Sequence, residues 1–95
     1  MSAEQKKAIE ANALAVPVGL VEACHRSILA IAAFLPQCNP NITSDAKVGI
    51  HQLAGALRAA YQTALVNSPP AEERERLRAL VREVREIEDG ILDGP

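Results

Sequence analysis

Aromatic residues are almost missing from this sequence, which has one tyrosine, one phenylalanine and no tryptophan among 95 residues. Nucleic-acid-binding proteins often stack bases on aromatic side chains and hold phosphates in a positive field, whereas the net charge here is −2. We therefore expect no nucleic-acid partner. Apolar residues still make up 48% of the chain, so the core must consist of alanine, leucine, valine and isoleucine, which favours an all-α fold. The length allows one small domain, residues 1–95.

The usual signatures of metal centres and of exported proteins are missing as well. Cys24 and Cys38 lie fourteen residues apart, with no C-x-x-C pair and no histidine at metal-ligand spacing beside them, so we expect reduced thiols and no metal. Glu10, Asn12 and Pro17 interrupt the apolar region that a signal peptide would need. The longest apolar run, ILAIAAFL, is too short to cross a bilayer. These absences favour a cytoplasmic protein without a membrane partner.

One long helical segment is predicted from Ala3 to Leu35, where apolar residues recur at steps of three and four. This seam consists of Leu14, Pro17, Val21, Cys24, Ile28, Ile31 and Leu35. Pro17 removes one internal hydrogen bond, so the segment is either one bent helix or two separate helices. The chain is therefore expected to form three to four helices.

Two further helices are predicted after the first segment. The second runs from Asp45 to Val66. Its apolar face holds Ile50, Leu53, Leu57, Ala60 and Ala64. Small residues flank that face: Gly49, Ala56, Ala59 and Thr63. For the third helix, Ser68 is a natural N-cap, Pro69 a favoured first residue, and Gly90 marks the expected end. The third seam consists of Leu77, Leu80, Val84, Ile87 and Ile91.

The first two helices are apolar or small over most of their circumference, which is more surface than three helices of this length can cover. Burial between subunits is the simplest remedy. We therefore expect a helical bundle that is completed by oligomerisation, as a homodimer or a larger assembly.

The junction CNPNITSDAKVG carries more specific chemistry than a helix hairpin needs. Together with the flanking segments AVPVGLVEAC and LAGALRAAYQTALVN, it resembles the cyclodeaminase domain of the formiminotransferase-cyclodeaminase family, in its C-terminal half. Relatives of that family include methenyltetrahydrofolate cyclohydrolases. The matching positions are Val16, Pro17, Asn39, Pro40, Asn41, Ser44, Asp45 and Asn67.

Two differences from the family pattern stand out. Gln62 and Thr63 occupy the positions of a usual Asn-Val pair. The family domain is about twice as long, and its first half contains a Pro-Gly-Gly-Gly segment, whereas consecutive glycines do not occur in this sequence. The chain therefore matches one half of the family's expected site, and activity of the chain alone is an open question.

The resemblance implies a reaction in which a formimino group on tetrahydrofolate loses ammonia as the neighbouring nitrogen attacks, leaving a methenyl bridge. Cyclohydrolases add water to such a bridge, and neither reaction implies a metal. An enzyme of this kind needs a proton-transferring group and a dry pocket for the pterin. Asp45 is the catalytic candidate, because a helix start would hold its carboxylate ionised. Ser44 and Asp45 are equally consistent with ordinary helix caps.

The candidate folate-binding residues are Asn39, Asn41, Ser44 and Lys47. The two asparagines could present amides to a pterin, but Asn-Pro-Asn is also common turn chemistry. Lys47 begins a polar stripe on one face of the second helix. That stripe continues with His51, Arg58 and Gln62. It could meet the glutamate tail of folate or simply face solvent.

Two functions are therefore open. The first is a folate-binding protein of the cyclodeaminase or cyclohydrolase type, with a tetrahydrofolate derivative as its substrate or ligand. The alternative is a non-catalytic helical oligomerisation module built on the same scaffold.

Overall fold

Three long helices make up the fold in the computed structural model, which describes residues 1–94. Helix α1 spans Ala3–Phe34 and continues into a 3₁₀ turn, Leu35–Gln37. Helix α2 spans Pro40–Val66, and α3 spans Ala71–Asp93. No strand occurs among these 94 residues, so the all-α prediction is confirmed. The molecule is elongated, with principal dimensions of 57 × 20 × 16 Å.

Helix α1 is one continuous helix that includes Pro17. Its start is fixed by a capping box, in which the Gln5 backbone N–H donates to Ser2 Oγ and the Ser2 backbone N–H donates to Gln5 Oε1. Every residue of the predicted seam is buried or packs against the core. Of the two alternatives left open at Pro17, one continuous helix is the one found, and two separate helices do not occur.

Helix α2 begins five residues before the predicted start at Asp45. Asn39 is its N-cap, and Asn39 Oδ1 accepts hydrogen bonds from the backbone N–H groups of Asn41 and Ile42, both at 3.1 Å. Pro40 follows as the first helical residue, where its missing N–H has no consequence. The capping role considered for Ser44 and Asp45 is therefore wrong, because both lie inside the helix.

The connection from α2 to α3 also differs from the prediction. Ser68 is not the N-cap of α3; it follows the end of α2 in a left-handed conformation, φ 51°, and its N–H donates to the Leu65 carbonyl at 3.1 Å. Pro69 cannot open the helix, because a residue before a proline is kept out of the α region. Pro70 is therefore the N-cap. At the other end α3 continues through Gly90 to Asp93, so the predicted end at Gly90 is wrong.

The core lies where the three apolar seams meet. Its buried apolar residues are Val21, Cys24, Ile28, Ile50, Ala54, Leu57, Ala60, Ala64, Leu77 and Val84. Helices α1 and α2 form an antiparallel hairpin through the 3₁₀ turn, and α3 packs along one side of it. The predicted seam residues of α2 and α3 all belong to this core or pack against it.

The hairpin leaves its other side uncovered. At 100° per residue, Val16 and Leu20 lie about half a turn around α1 from Glu22 and His25, whose side chains contact α3. We define the outer face as the exposed residues on this opposite side of α1 and α2: Val16, Leu20, Ala30, Phe34, Asp45, Gln52, Ala56, Ala59 and Thr63. It is apolar or small except at Asp45, Gln52 and Thr63.

By length and composition, α1 together with its 3₁₀ extension, Ala3–Gln37, is also apolar enough to cross a membrane. It meets this criterion because isolated polar residues interrupt the apolar run without lowering its average hydropathy below that of a spanning helix. A core helix of a soluble protein and a signal sequence satisfy the same criterion. Val21, Cys24 and Ile28 of this helix are buried against the rest of the chain. Because the criterion does not separate these cases, the expectation that the chain has no membrane partner stays a prediction.

Candidate functional site

The five predicted site residues cluster along the first two turns of α2 but do not face one way. Asn39 uses its side-chain oxygen as the helix cap. Asn41 and Asp45 are separated by four residues and lie towards the outer face. Ser44 and Lys47 lie on the side of α2 that also carries His51, three and four residues apart. One helix therefore presents the candidates on two faces.

These side chains are open to solvent. Asn39, Asn41, Ser44 and Asp45 are exposed, and Lys47 is half-buried. Asp45 is not held by backbone N–H groups at a helix start, because the helix begins at Pro40. The expectation that a helix start holds the Asp45 carboxylate is therefore wrong.

Three surface clefts lie towards the opposite end of the hairpin, with volumes of about 540, 410 and 420 Å³. The first is lined by Met1, Gln5, Ala8 and Ile9. The second lies between α1 and the start of α3 at Pro70, and the third between α1 and the end of α2 at Val66. The five candidates line none of these three clefts.

A polar cluster that one chain completes by itself lies further along α2. His51 Nδ1 is 2.7 Å from Glu88 Oε2, and Arg58 Nη1 is 2.5 Å from Glu88 Oε1. Glu88 comes from α3 and its side chain is only 13% exposed, while that of His51 is 32% exposed. Both carboxylate oxygens are thus occupied by donors from α2.

The electrostatics of this cluster favour an ionised glutamate. Burial by itself raises the pKa of Glu88, but the hydrogen bonds from His51 and Arg58 and the positive charge of Arg58 outweigh burial. The pKa of Glu88 therefore lies below its ordinary value. An ionised carboxylate can only accept hydrogen bonds, so His51 Nδ1 must carry the proton.

Two more polar contacts join α1 to α3. His25 Nε2 lies 2.9 Å from Glu83 Oε2. Arg76 binds Glu22 at 3.3 Å and Glu73 at 2.5 Å, and the hydrogen bond from Arg76 is the main reason that the pKa of Glu73 lies below its ordinary value. These contacts flank the apolar seam of α3 and help to fix its register.

The helical period places His51 and Arg58 on one face of α2 but does not indicate Glu88 as their partner. Glu88 was missed because pairing between α2 and α3 depends on how the helices dock. One signal was available: Glu88 stands beside the seam residue Ile87 and three positions before Ile91, where a charged side chain lies at the edge of a packed face. Within this stripe, His51 Nδ1 and Arg58 Nη1 already bind Glu88, so these two groups are not free to bind a glutamate tail.

No group of three or more histidine, cysteine, aspartate or glutamate side chains within residues 1–94 is arranged to hold a metal ion. The predicted free thiols are present, with Cys24 buried and Cys38 partly exposed. Cys38 Sγ lies 3.2 Å from the Phe34 carbonyl oxygen, at the 3₁₀ turn.

Comparison with known protein families gives one match. A family model described as formiminotransferase-cyclodeaminase matches residues 2–86. The matched range includes all of α1 and α2 and most of α3, and it ends two residues before Glu88. No curated protein and no solved structure matches the chain.

Proposed function

The chain belongs to the formiminotransferase-cyclodeaminase family, a folate-related family of one-carbon metabolism, and from this premise we propose that it binds a tetrahydrofolate derivative in the cytoplasm. The family match over residues 2–86 is the observation that carries the proposal. It includes the Asn-Pro-Asn and Ser-Asp positions at the start of α2, so the folate site is proposed there. Asn39, Asn41, Ser44 and Lys47 are its binding residues.

A second copy of the chain closes this site in our proposal. Four of the five candidates are exposed and Lys47 is half-buried, whereas a pterin must be held away from water. Asn41 and Asp45 lie towards the outer face, where α1 and α2 also expose Val16, Leu20 and Phe34. A partner that covers these apolar side chains would also place a wall beside Asp45. Burial of the outer face in this contact would stabilise the assembly by about 25 cal/mol for each Å² of apolar surface removed from water.

The proposed reaction is cyclodeamination of a formimino folate or hydrolysis of a methenyl folate. In both, the attacking group loses a proton as it bonds to the one-carbon unit. Asp45 is the proposed acceptor of that proton, because its carboxylate is exposed on α2 beside the proposed binding residues, where a bound folate could reach it.

Calorimetric titration tests the folate assignment before any activity is sought. Tetrahydrofolate and its 5-formyl derivative are titrated into the full chain, and we expect a saturable heat of binding. A flat titration with both ligands would contradict the folate assignment and favour the alternative below.

An Asp45→Asn variant separates a catalytic role from a structural one. Since Asp45 is an exposed residue inside α2, the substitution should change the free energy of unfolding by less than about 0.5 kcal/mol, as measured by thermal unfolding. Turnover of the formimino folate should fall strongly, because an amide cannot accept the proton at neutral pH. If the variant turns over folate as the wild type does, Asp45 has no catalytic role. Asp89→Asn, the same change at an exposed position of α3 outside the proposed site, is the matched control and should keep its turnover.

The alternative function is a helical oligomerisation module without catalysis. The observation that favours it is the outer face, which exposes large apolar side chains such as Val16, Leu20 and Phe34, while Asn41 and Asp45 beside it are exposed. Assembly without any binding of folate would support this alternative.

A further inference from the structure

We infer that His51 is a second proton-transferring group, held in position by Glu88 and Arg58, and that it acts on the nitrogen groups of the folate substrate. This inference rests on the proposed function. It concerns the side of α2 that faces α3, whereas Asp45 lies towards the outer face.

The hydrogen bonds fix which ring nitrogen of His51 is available. Glu88 accepts from His51 Nδ1 at 2.7 Å and from Arg58 at its other oxygen. With Nδ1 protonated, neutral His51 keeps its lone pair on Nε2. The hydrogen bonds within residues 1–94 leave Nε2 without a partner, and the side chain is 32% exposed. The basic nitrogen of His51, Nε2, is therefore accessible to solvent.

A second histidine in the same fold shows that a simple helix bridge looks different. His25 uses Nε2 to bind Glu83, its side chain is only 15% exposed, and Glu83 is 48% exposed. Arginine does not bind the second oxygen of Glu83. The His25–Glu83 bridge thus buries the histidine and leaves the carboxylate in solvent. At His51 the arrangement is reversed, with the carboxylate buried and the imidazole accessible.

His51 is also within reach of a ligand bound at the proposed folate site. Ser44, Lys47 and His51 follow one another at three and four residues and so lie along one face of α2. At 1.5 Å per residue, His51 is about 6 Å from Lys47 and about 10 Å from Ser44 along the helix axis. A folate that contacts Ser44 and Lys47 would extend past Nε2 of His51.

The proposed cyclodeamination involves three proton transfers. The neighbouring folate nitrogen forms a bond to the formimino carbon and gives its proton to Asp45, the acceptor proposed above, which later returns it to solvent. His51 takes a proton from solvent at Nε2 and passes it to the former imino nitrogen, which becomes an amine. A further proton from solvent, again delivered through Nε2, lets the carbon–nitrogen bond to this amine break, so that ammonia leaves and the methenyl bridge remains with its positive charge. Glu88 and Arg58 are positioning residues that keep Nε2 directed outward.

The test compares two amide variants that each preserve the hydrogen bond of the wild type. In His51→Asn the amide nitrogen replaces Nδ1 as the donor to Glu88, but nothing replaces Nε2. In His25→Gln the amide replaces Nε2 as the partner of Glu83. Folding is checked by circular dichroism, folate binding by calorimetry, and kcat by the release of ammonia from formiminotetrahydrofolate. Nitrogen-15 NMR of labelled histidine reports the tautomer of His51 in the wild type and in Glu88→Gln.

The expected result is a loss of kcat by at least about 100-fold in His51→Asn, the usual contribution of general acid–base catalysis, with folding and folate affinity retained. His25→Gln should keep wild-type kcat. The NMR spectrum should show neutral His51 as the Nδ1–H tautomer, and Glu88→Gln should produce a mixture of tautomers and a lower kcat.

Two results would overturn the inference without touching the folate assignment: wild-type chain that binds folate without turning it over, or wild-type kcat in His51→Asn. Equal losses in His51→Asn and His25→Gln would also overturn it, since they would mean that both bridges only support the fold. A wild-type chain that binds no folate would overturn the proposed function and this role together.

Discussion

At the scale of single residues, the side chain of Asn39 caps α2. The sequence pattern had suggested this role for Ser44 and Asp45. The Asn39 oxygen caps α2 by accepting from two backbone N–H groups. Asn41 and Ser44 are exposed and make no comparable contribution. The capping role therefore belongs to the first asparagine of Asn-Pro-Asn, and the remaining candidates are free to bind a ligand.

Replacing Asn39 by alanine should lower the free energy of unfolding by about 1 kcal/mol, because two backbone donors at the start of α2 lose their acceptor. Asn39→Asp should keep the stability, since a carboxylate caps equally well. Asn41→Ala is the control and should change stability by less than about 0.5 kcal/mol. Urea unfolding followed by circular dichroism measures all three. Equal losses in Asn39→Ala and Asn41→Ala would contradict the cap.

The lowered pKa values of Glu73 and Glu88 predict a loss of stability in acid. Both groups bind protons less readily in the folded chain than their ordinary value of 4.5 implies. Their stabilising contribution is therefore fully present above that value and is lost as the pH falls through the lowered folded values. Thermal unfolding between pH 6 and pH 3 should show this decline. In Glu88→Gln the decline should be shallower, and an unchanged slope would contradict the role of Glu88.

At the scale of the helices, α3 contains a glycine where the fold does not require one. Gly90 lies inside α3 in a helical conformation, and a Cβ added there would meet no atom within 4 Å. Gly90→Ala should therefore stabilise the chain by about 0.5–1 kcal/mol, because alanine loses less backbone entropy on folding. Thermal unfolding provides the measurement. A lower melting temperature in the variant would indicate that the end of α3 is not helical in solution.

The apolar seams could be predicted from sequence because burial follows the helical period directly. All the predicted seam residues, from Leu14 in α1 to Ile91 in α3, are buried or pack against the core. The ends of the helices were harder, because several residues at a junction can cap. Helix α2 begins at Pro40, whereas the predicted start was Asp45. Ser68 lies after the end of α2 and does not cap α3.

The candidate site could be predicted only in part, for a different reason. The periodicity of α2 correctly placed His51 and Arg58 on one face. Their partner Glu88 depends on the rotation of α3 about its axis, which no single helix encodes. Likewise Glu22 and His25 of α1 reach across to Arg76 and Glu83 of α3, and the sequence of α1 alone does not indicate these contacts.

At the scale of the whole molecule, the outer face is the feature that the single chain leaves unexplained. Val16 is 75% exposed and Phe34 63% exposed, although both are large and apolar. On α2 the neighbouring exposed side chains are small, so a second helix pair could approach closely there. A second copy of this chain offers the matching surface through a two-fold axis.

Charge placed on the outer face should separate assembly from folding. Leu20→Glu puts a carboxylate among apolar side chains and should convert an assembled chain to monomers, while its helical content by circular dichroism stays that of the wild type. Ala79→Glu adds the same charge on the exposed side of α3, and this control should assemble normally. Matching behaviour of the two variants in size-exclusion chromatography would place the contact elsewhere.

Sedimentation equilibrium of the full chain at micromolar concentration tests most directly whether a second copy covers the outer face and closes the folate site. We predict a dimer or larger assembly, with a mass at least twice that of the chain. Tetrahydrofolate should lower the dissociation constant of this assembly, because both copies surround the ligand. A well-folded monomer at these concentrations, with or without tetrahydrofolate, would contradict the prediction. If that monomer also floated with phospholipid vesicles, the apolar side of α1 would instead be a membrane-binding surface.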